Sequence, residues 1–153
     1  MREILFRGKR LDNGEWAEGY LYEHEPALVG IASENDVPEP SKWFIARTGF
    51  ADWNMPRPVE FVEIDPSTVG QYTGLKDKNG KRIFDGDVCR FREWSKGEMC
   101  WVGKVNWEHQ QFMISGGPSK ECETMFELCL SRFIPENIEV IGNIHDNPEL
   151  LEK

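Results

Sequence analysis

Asp85 and Asp87, two positions apart, and the pair Cys100 and His109 are the residues whose types and spacing invite a reaction. Two neighbouring carboxylates can hold a cation or share a proton, and a thiol beside an imidazole becomes a nucleophile. The carboxylates close residues 71–91, QYTGLKDKNGKRIFDGDVCRF, in which charged side chains and glycines lie between apolar ends. A phosphate-binding loop needs G-x-x-x-x-G-K followed by a hydroxyl residue. Residues 74–82, GLKDKNGKR, have one residue too many and an arginine where the hydroxyl belongs. A calcium loop opening at Asp77 needs glycine at its sixth position and glutamate at its twelfth, where this chain has Arg82 and Val88. Both sites fail on spacing, so Asp85 and Asp87 read as solvated turn acids around Gly86. Cys100 and His109 could meet across a hairpin, as could any two residues on neighbouring strands.

The four cysteines, Cys89, Cys100, Cys122 and Cys129, are not spaced as the paired ligands of a zinc ribbon, and His24, His109 and His145 lie far apart in sequence. No metal site or cofactor is expected. Hydrophobic residues make up 39% of the chain and aromatics 12%, enough to build a core. Residues 1–70 carry 7 Lys and Arg against 13 Asp and Glu, and residues 71–153 carry 11 against 14, giving −9 in all. That balance disfavours duplex nucleic acid, which is bound by clustered cations. No apolar run suits a membrane span and residues 1–8 lack a signal-peptide core, so a soluble cytoplasmic protein is expected.

Short segments with turn residues between them dominate the chain. Residues 4–11 and 15–22 flank Asp12-Asn13-Gly14, a hairpin signal of the type I′ kind. Residues 27–32, 42–47 and 58–64 follow as strands. In the last, Val59, Phe61 and Glu63 alternate with Glu60, Val62 and Ile64, apolar on both faces, which predicts a covered strand. Further strands are expected at 69–73, 87–91, 101–107 and 111–115, with a turn at Asp77-Lys78-Asn79-Gly80 and a hairpin around Glu108-His109-Gln110. Residues 119–133 fit both periods, and a strand at 122–128 followed by a helical turn is the preferred reading. Residues 138–144 form a strand, and Asn147-Pro148-Glu149 opens a short C-terminal helix.

The sum predicts a mostly β fold, an antiparallel sheet closed into one or more small β-barrels or folded as a sandwich. Residues 1–70 would form an N-terminal β unit with a variable loop, and residues 71–153 a C-terminal SH3-like barrel unit, with one compact domain as the alternative. The echo of Phe6-x-Gly8 before Asp12-Asn13-Gly14 in Tyr72-x-Gly74 before Asp77-Lys78-Asn79-Gly80 hints at two related β units. Of the six tryptophans, most are assigned to the core, and Trp53 and Trp94, beside loop residues, to the surface.

Four passages, FRGKRLDNGEWAEGYLY, QYTGLKDKNGKRIFDGDVCRF, GKVNWEHQQFMIS and IEVIGNIHDNPELLE, resemble the YopX family of proteins encoded by bacteriophages and prophages. The resemblance implies a mostly β, small-barrel protein and brings no catalytic residues or cofactor with it. Residues 23–55 follow the family pattern least and read as a variable insertion.

Three functions are therefore in play. The first is a non-enzymatic module binding a host or phage protein, or itself as a homo-oligomer, through β edges and aromatic patches. The second is a regulator that binds single-stranded DNA or RNA through Arg90, Arg92, Lys96 and Lys104, with Trp53 and Trp94 completing the candidate interaction surface. The third, an enzyme using Asp85, Asp87, Cys100 or His109, lacks a complete constellation.

Overall fold

The computed structural model describes residues 3–25, 40–52, 55–92, 100–116 and 126–151. They divide into two compact units, one of Leu5–Val69 and one of Met1–Ile4 with Gly70–Lys153.

In the first unit, strands β1 (Phe6–Lys9), β2 (Trp16–His24), β3 (Lys42–Asp52) and β4 (Met55–Glu63) form an antiparallel meander in chain order. The β1–β2 turn is a four-residue loop closed by Arg10 and Glu15, in which Gly14 alone takes a positive φ, 71°. Asn13 stays at negative φ, so the expected type I′ turn is absent. Its side chain accepts the Glu15 amide at 2.9 Å, which stabilises the wider loop. β4 runs through Pro56 and Pro58 and so begins three residues before the strand expected at 58–64. A strand ending the meander tolerates missing amides, and the register slips between Arg47 and Thr48 beside Pro58.

Ala17, Ile45, Val62 and Ile64 make the core of this unit, with Phe6, Leu21, Trp43 and Val69 packed around them. Gly19 belongs to this face because a Cβ there would lie 2.4 Å from the Ala46 carbonyl oxygen.

The second unit holds a hairpin of β5 (Gly70–Lys76) and β6 (Arg82–Phe84). It also holds a five-stranded antiparallel sheet ordered β10-β9-β8-β7-β11, from β7 (Asp87–Arg92), β8 (Cys100–Glu108), β9 (Gln111–Gly116), β10 (Phe126–Cys129) and β11 (Ile138–Asn143). Ile83 from the hairpin joins Phe91, Trp101, Val105, Ile114, Leu130 and Val140 in one core.

The stretch at residues 71–91 locks this unit together. Asp77, 2% exposed, accepts the backbone amides of Asn79 at 2.8 Å, Lys81 at 2.9 Å and Val140 at 3.1 Å, so one carboxylate closes its own turn and binds β11. Asp87 is fully buried and accepts the Phe84 amide at 2.8 Å. The reading of Asp87 as a solvated acid is thus corrected: it folds back to cap the turn that precedes it.

The mostly β, antiparallel character holds, but no closed barrel forms among the described residues. In the second unit β10 and β11 lie at opposite ends of the sheet. In the first, one bridge, Arg10 to Ile64, joins the chain after β1 to the chain after β4. Closure needs a continuous staggered ladder.

The expected C-terminal helix is a single 3₁₀ turn, Pro148–Leu151. It packs on Gly142, where a Cβ would lie 2.6 Å from Asn147 Oδ1 and 2.7 Å from Leu150 Cδ1. The ambiguous segment resolves into β10 and a 3₁₀ turn, Leu130–Arg132, while residues 122–125 of the expected strand and the strand expected at 27–32 lie outside the described residues.

Candidate interaction surface

Alternation along β2 sends Ala17, Gly19 and Leu21 into the first unit's core and Trp16, Glu18, Tyr20, Tyr22 and His24 to the opposite face. Pairing extends that face across the meander: Tyr20 lies opposite Ala46, which lies opposite Phe61, and Tyr22 opposite Phe44, which lies opposite Glu63. Side chains of neighbouring rows touch. The Tyr22 ring sits 6.4 Å from Phe44 and 6.0 Å, edge-on, from Phe61, distances typical of interacting aromatic pairs. The rings line an open groove of about 740 Å³ with Leu21, His24 and Ala46.

The groove is exposed. Tyr20 is 53% accessible, Tyr22 47% and Phe61 55%. The prediction that β4 is covered on both faces is therefore corrected, since Val62 and Ile64 are buried while Phe61 faces out. The signal was in the sequence: apolar groups at both parities mean either two covered faces or one core face and one sticky face.

Charge is uneven around the rings. At the β1 end, Arg7 lies 4.6 Å and Lys9 5.7 Å from the Trp16 ring centre, so cations occupy that ring. At the β4 end, a smaller pocket of about 360 Å³ adjoins the groove at Phe61 and is lined by Arg10, Asp12, Glu60 and Glu63. Arg10 is held by both oxygens of Asp12, at 2.8 and 2.6 Å, and Arg47 lies 3.5 Å from Glu60. The hydrogen bond between Arg10 and Asp12 raises the Arg10 pKa and lowers that of Asp12. The Glu63 carboxylate is exposed and has no hydrogen-bond or ion-pair partner among the described residues.

The residues singled out from sequence are dispersed. Arg90 and Lys104 share one face of the second unit's sheet, since Val88 opposite Lys104 and Arg90 opposite Val102 have the same parity. Glu139 stands opposite Arg90 there and pairs with Lys78 at 2.8 Å. Trp53, Trp94 and Lys96 and the side chains of Arg92 and Cys100 lie outside the described residues.

Cys100 and His109 cannot act together: they stand at opposite ends of β8, roughly 25–30 Å apart along an extended strand. Trp107, assigned to the core, is 50% exposed and packs edge-on against Phe112 at 4.7 Å.

Sequence spacing also missed a meeting of Glu108, His109 and Glu127, whose ligand atoms lie within 4.8 Å of one another on the surface. They come from the β8–β9 turn and from β10, which only folding brings together. The turn is a two-residue loop of the type I′ kind, with both of its central residues at positive φ. His109 and Gln110 take φ of 50° and 64°, a conformation that costs non-glycine residues energy.

Residues 6–152 match the sequence model of the YopX protein family. The chain belongs to the YopX family. No curated protein matches this YopX member. Its structure is similar to that of protein EF1440 from Enterococcus faecalis, at 22% identity and a TM-score of 0.48, covering 99% of this chain and 100% of the other. No helix among the described residues is long and apolar enough to cross a membrane.

Proposed function

We propose that this YopX-family chain is a non-enzymatic interaction module, acting in the bacterial cytoplasm on a host or phage protein or on a second copy of itself. The observation that carries this reading is the exposed aromatic groove of Tyr20, Tyr22, Phe44 and Phe61 on the first unit. Tyrosine is enriched among the few residues that carry most of the energy at protein interfaces, and aromatic rings generally are enriched in interface cores, where they bury much area with few rotamers to freeze.

Single-stranded nucleic acid is the weaker alternative. It rests on Arg90 and Lys104, and Glu139 faces Arg90 on that surface.

Light scattering across a concentration series and affinity capture of full-length protein test the reading, with Tyr22→Ser/Phe61→Ser as comparison. The double variant should keep the parent's urea midpoint, its rings being exposed, and lose self-association or the captured partner. Identical assemblies from parent and variant would overturn it.

A further inference from the structure

Resting on that reading, we infer that the groove takes an extended cationic peptide segment, with an arginine or lysine seated against Phe61 and Phe44 and paired with Glu63. Three observations converge on this occupant.

The first is the unengaged carboxylate. Glu63 stands directly opposite Phe44 and two residues from Phe61, so a cation seated in the groove can pair with it while lying beside both rings. A guanidinium or ammonium there gains ring-face attraction and an ion pair together.

The second is the chain's own use of the same face. Arg7 and Lys9 sit over Trp16 at its β1 end, whereas no cation among the described residues sits over Tyr20, Tyr22, Phe44 or Phe61.

The third is charge. Residues 5–69 carry 6 Lys and Arg against 12 Asp and Glu, and Arg10, which lines the pocket adjoining the groove, already has an acidic partner. A second copy would bring the same acidic surface, and like charges brought together oppose binding. The groove spans three strands, so an extended segment crossing it can place alternate side chains on successive rows.

Three fluorescein-labelled nonapeptides, alternating valine with arginine, glutamine or glutamate, would be titrated by anisotropy against full-length protein at physiological salt. The arginine peptide should bind at least ~10-fold tighter than the glutamine peptide, and Tyr22→Ser and Glu63→Lys should each weaken it by at least ~10-fold, the loss expected for a residue central to an interface. Glu136→Lys, the same charge change at an exposed position on the other unit, should leave the affinity unchanged.

No binding of the arginine peptide, equal binding of the glutamine peptide, or equal loss in Glu63→Lys and Glu136→Lys would overturn the inference. A parent dimer abolished by Tyr22→Ser would also overturn it while upholding the interaction reading. That reading itself fails only when Tyr22→Ser/Phe61→Ser changes neither assembly nor partner capture.

Discussion

Replacing Asp77 with alanine removes one buried carboxylate and three hydrogen bonds at once, from the amides of Asn79, Lys81 and Val140. The Asn79 and Lys81 amides belong to a surface turn that water can reach in part. The Val140 amide lies in β11, and a buried amide left unpaired costs about 1–3 kcal/mol. Adding weakened turn bonds brings the expected loss to about 3 kcal/mol.

For a chain of this length, that lowers the melting temperature by roughly 6–12 °C. The side-chain amide introduced by Asp77→Asn offers one oxygen and a donor group where three backbone amides point, so that variant should be nearly as unstable as Asp77→Ala. Urea unfolding followed by tryptophan fluorescence measures both variants.

The pH dependence supplies a second check. Burial raises the Asp77 pKa, but the amides of Val140, Lys81 and Asn79 and the charge of Lys81 outweigh it and hold the group below its usual value. Its contribution is therefore complete above the unfolded carboxylate pKa of about 3.9 and is lost as pH falls through the lower folded value. The gap between parent and Asp77→Ala should be constant near neutrality and narrow in acid. A variant within about 0.5 kcal/mol of the parent at pH 7 would refute the assignment of Asp77 as the lock between the turn and β11, since that is the scatter of ordinary surface substitutions.

Three further outcomes follow from the same geometry. Gly19→Ala sets a methyl against the Ala46 carbonyl, which cannot swing aside, so it should cost more than about 2 kcal/mol in chemical denaturation. Gly142→Ala meets only the movable ends of Asn147 and Leu150, so it should cost about 1 kcal/mol and raise amide exchange in the 3₁₀ turn Pro148–Leu151. Gln110→Gly relieves a positive φ in the type I′ turn and should raise stability by about 0.5–1 kcal/mol in the same denaturation assay.

Much of the strand layout was legible because turn chemistry is local. Asp12-Asn13-Gly14 and Asp77-Lys78-Asn79-Gly80 do reverse the chain, and β7, β8, β9 and β11 fall where alternation places them. Turn type was less legible. Asn13 takes negative φ because a side-chain bond to Glu15 stabilises the wider loop, while His109 and Gln110 adopt the type I′ conformation with no glycine to announce it. β6 is three residues long, too short to show a period.

Asp87 looked like a solvent-facing charge because composition cannot tell whether a turn carboxylate points outward or folds back onto amides. The aromatic groove lay hidden behind a similar degeneracy in β4. Phe61 opposite Ala46 is a core pair in a two-sided sheet and a binding pair in a one-sided one, and only the exposure separates them.

Two of the passages that mark the chain as a YopX member, both in the second unit, do architectural work. Within the second unit, Asp77 holds the Val140 amide, the Lys78 amide reaches the Ile138 carbonyl, and the Ile144 amide reaches the Gly86 carbonyl. Asn143 accepts the amides of His145 and Asp146, and Gly142 makes room for the turn that follows. These residues tie QYTGLKDKNGKRIFDGD to IGNIHDNPEL, in good part through backbone groups, so what joins the two passages is the fold itself. Membership of the family therefore carries the scaffold and leaves the ligand open. The rings of the first unit are in the opposite position: Tyr20, Tyr22 and Phe61 give the core nothing, since Ala17, Ile45, Val62 and Ile64 fill it from the other face. Rings left about half exposed gain only part of their burial energy from folding, and the remainder is available to binding. Substitutions in the two sets should separate accordingly, the motif residues changing stability and the rings changing binding.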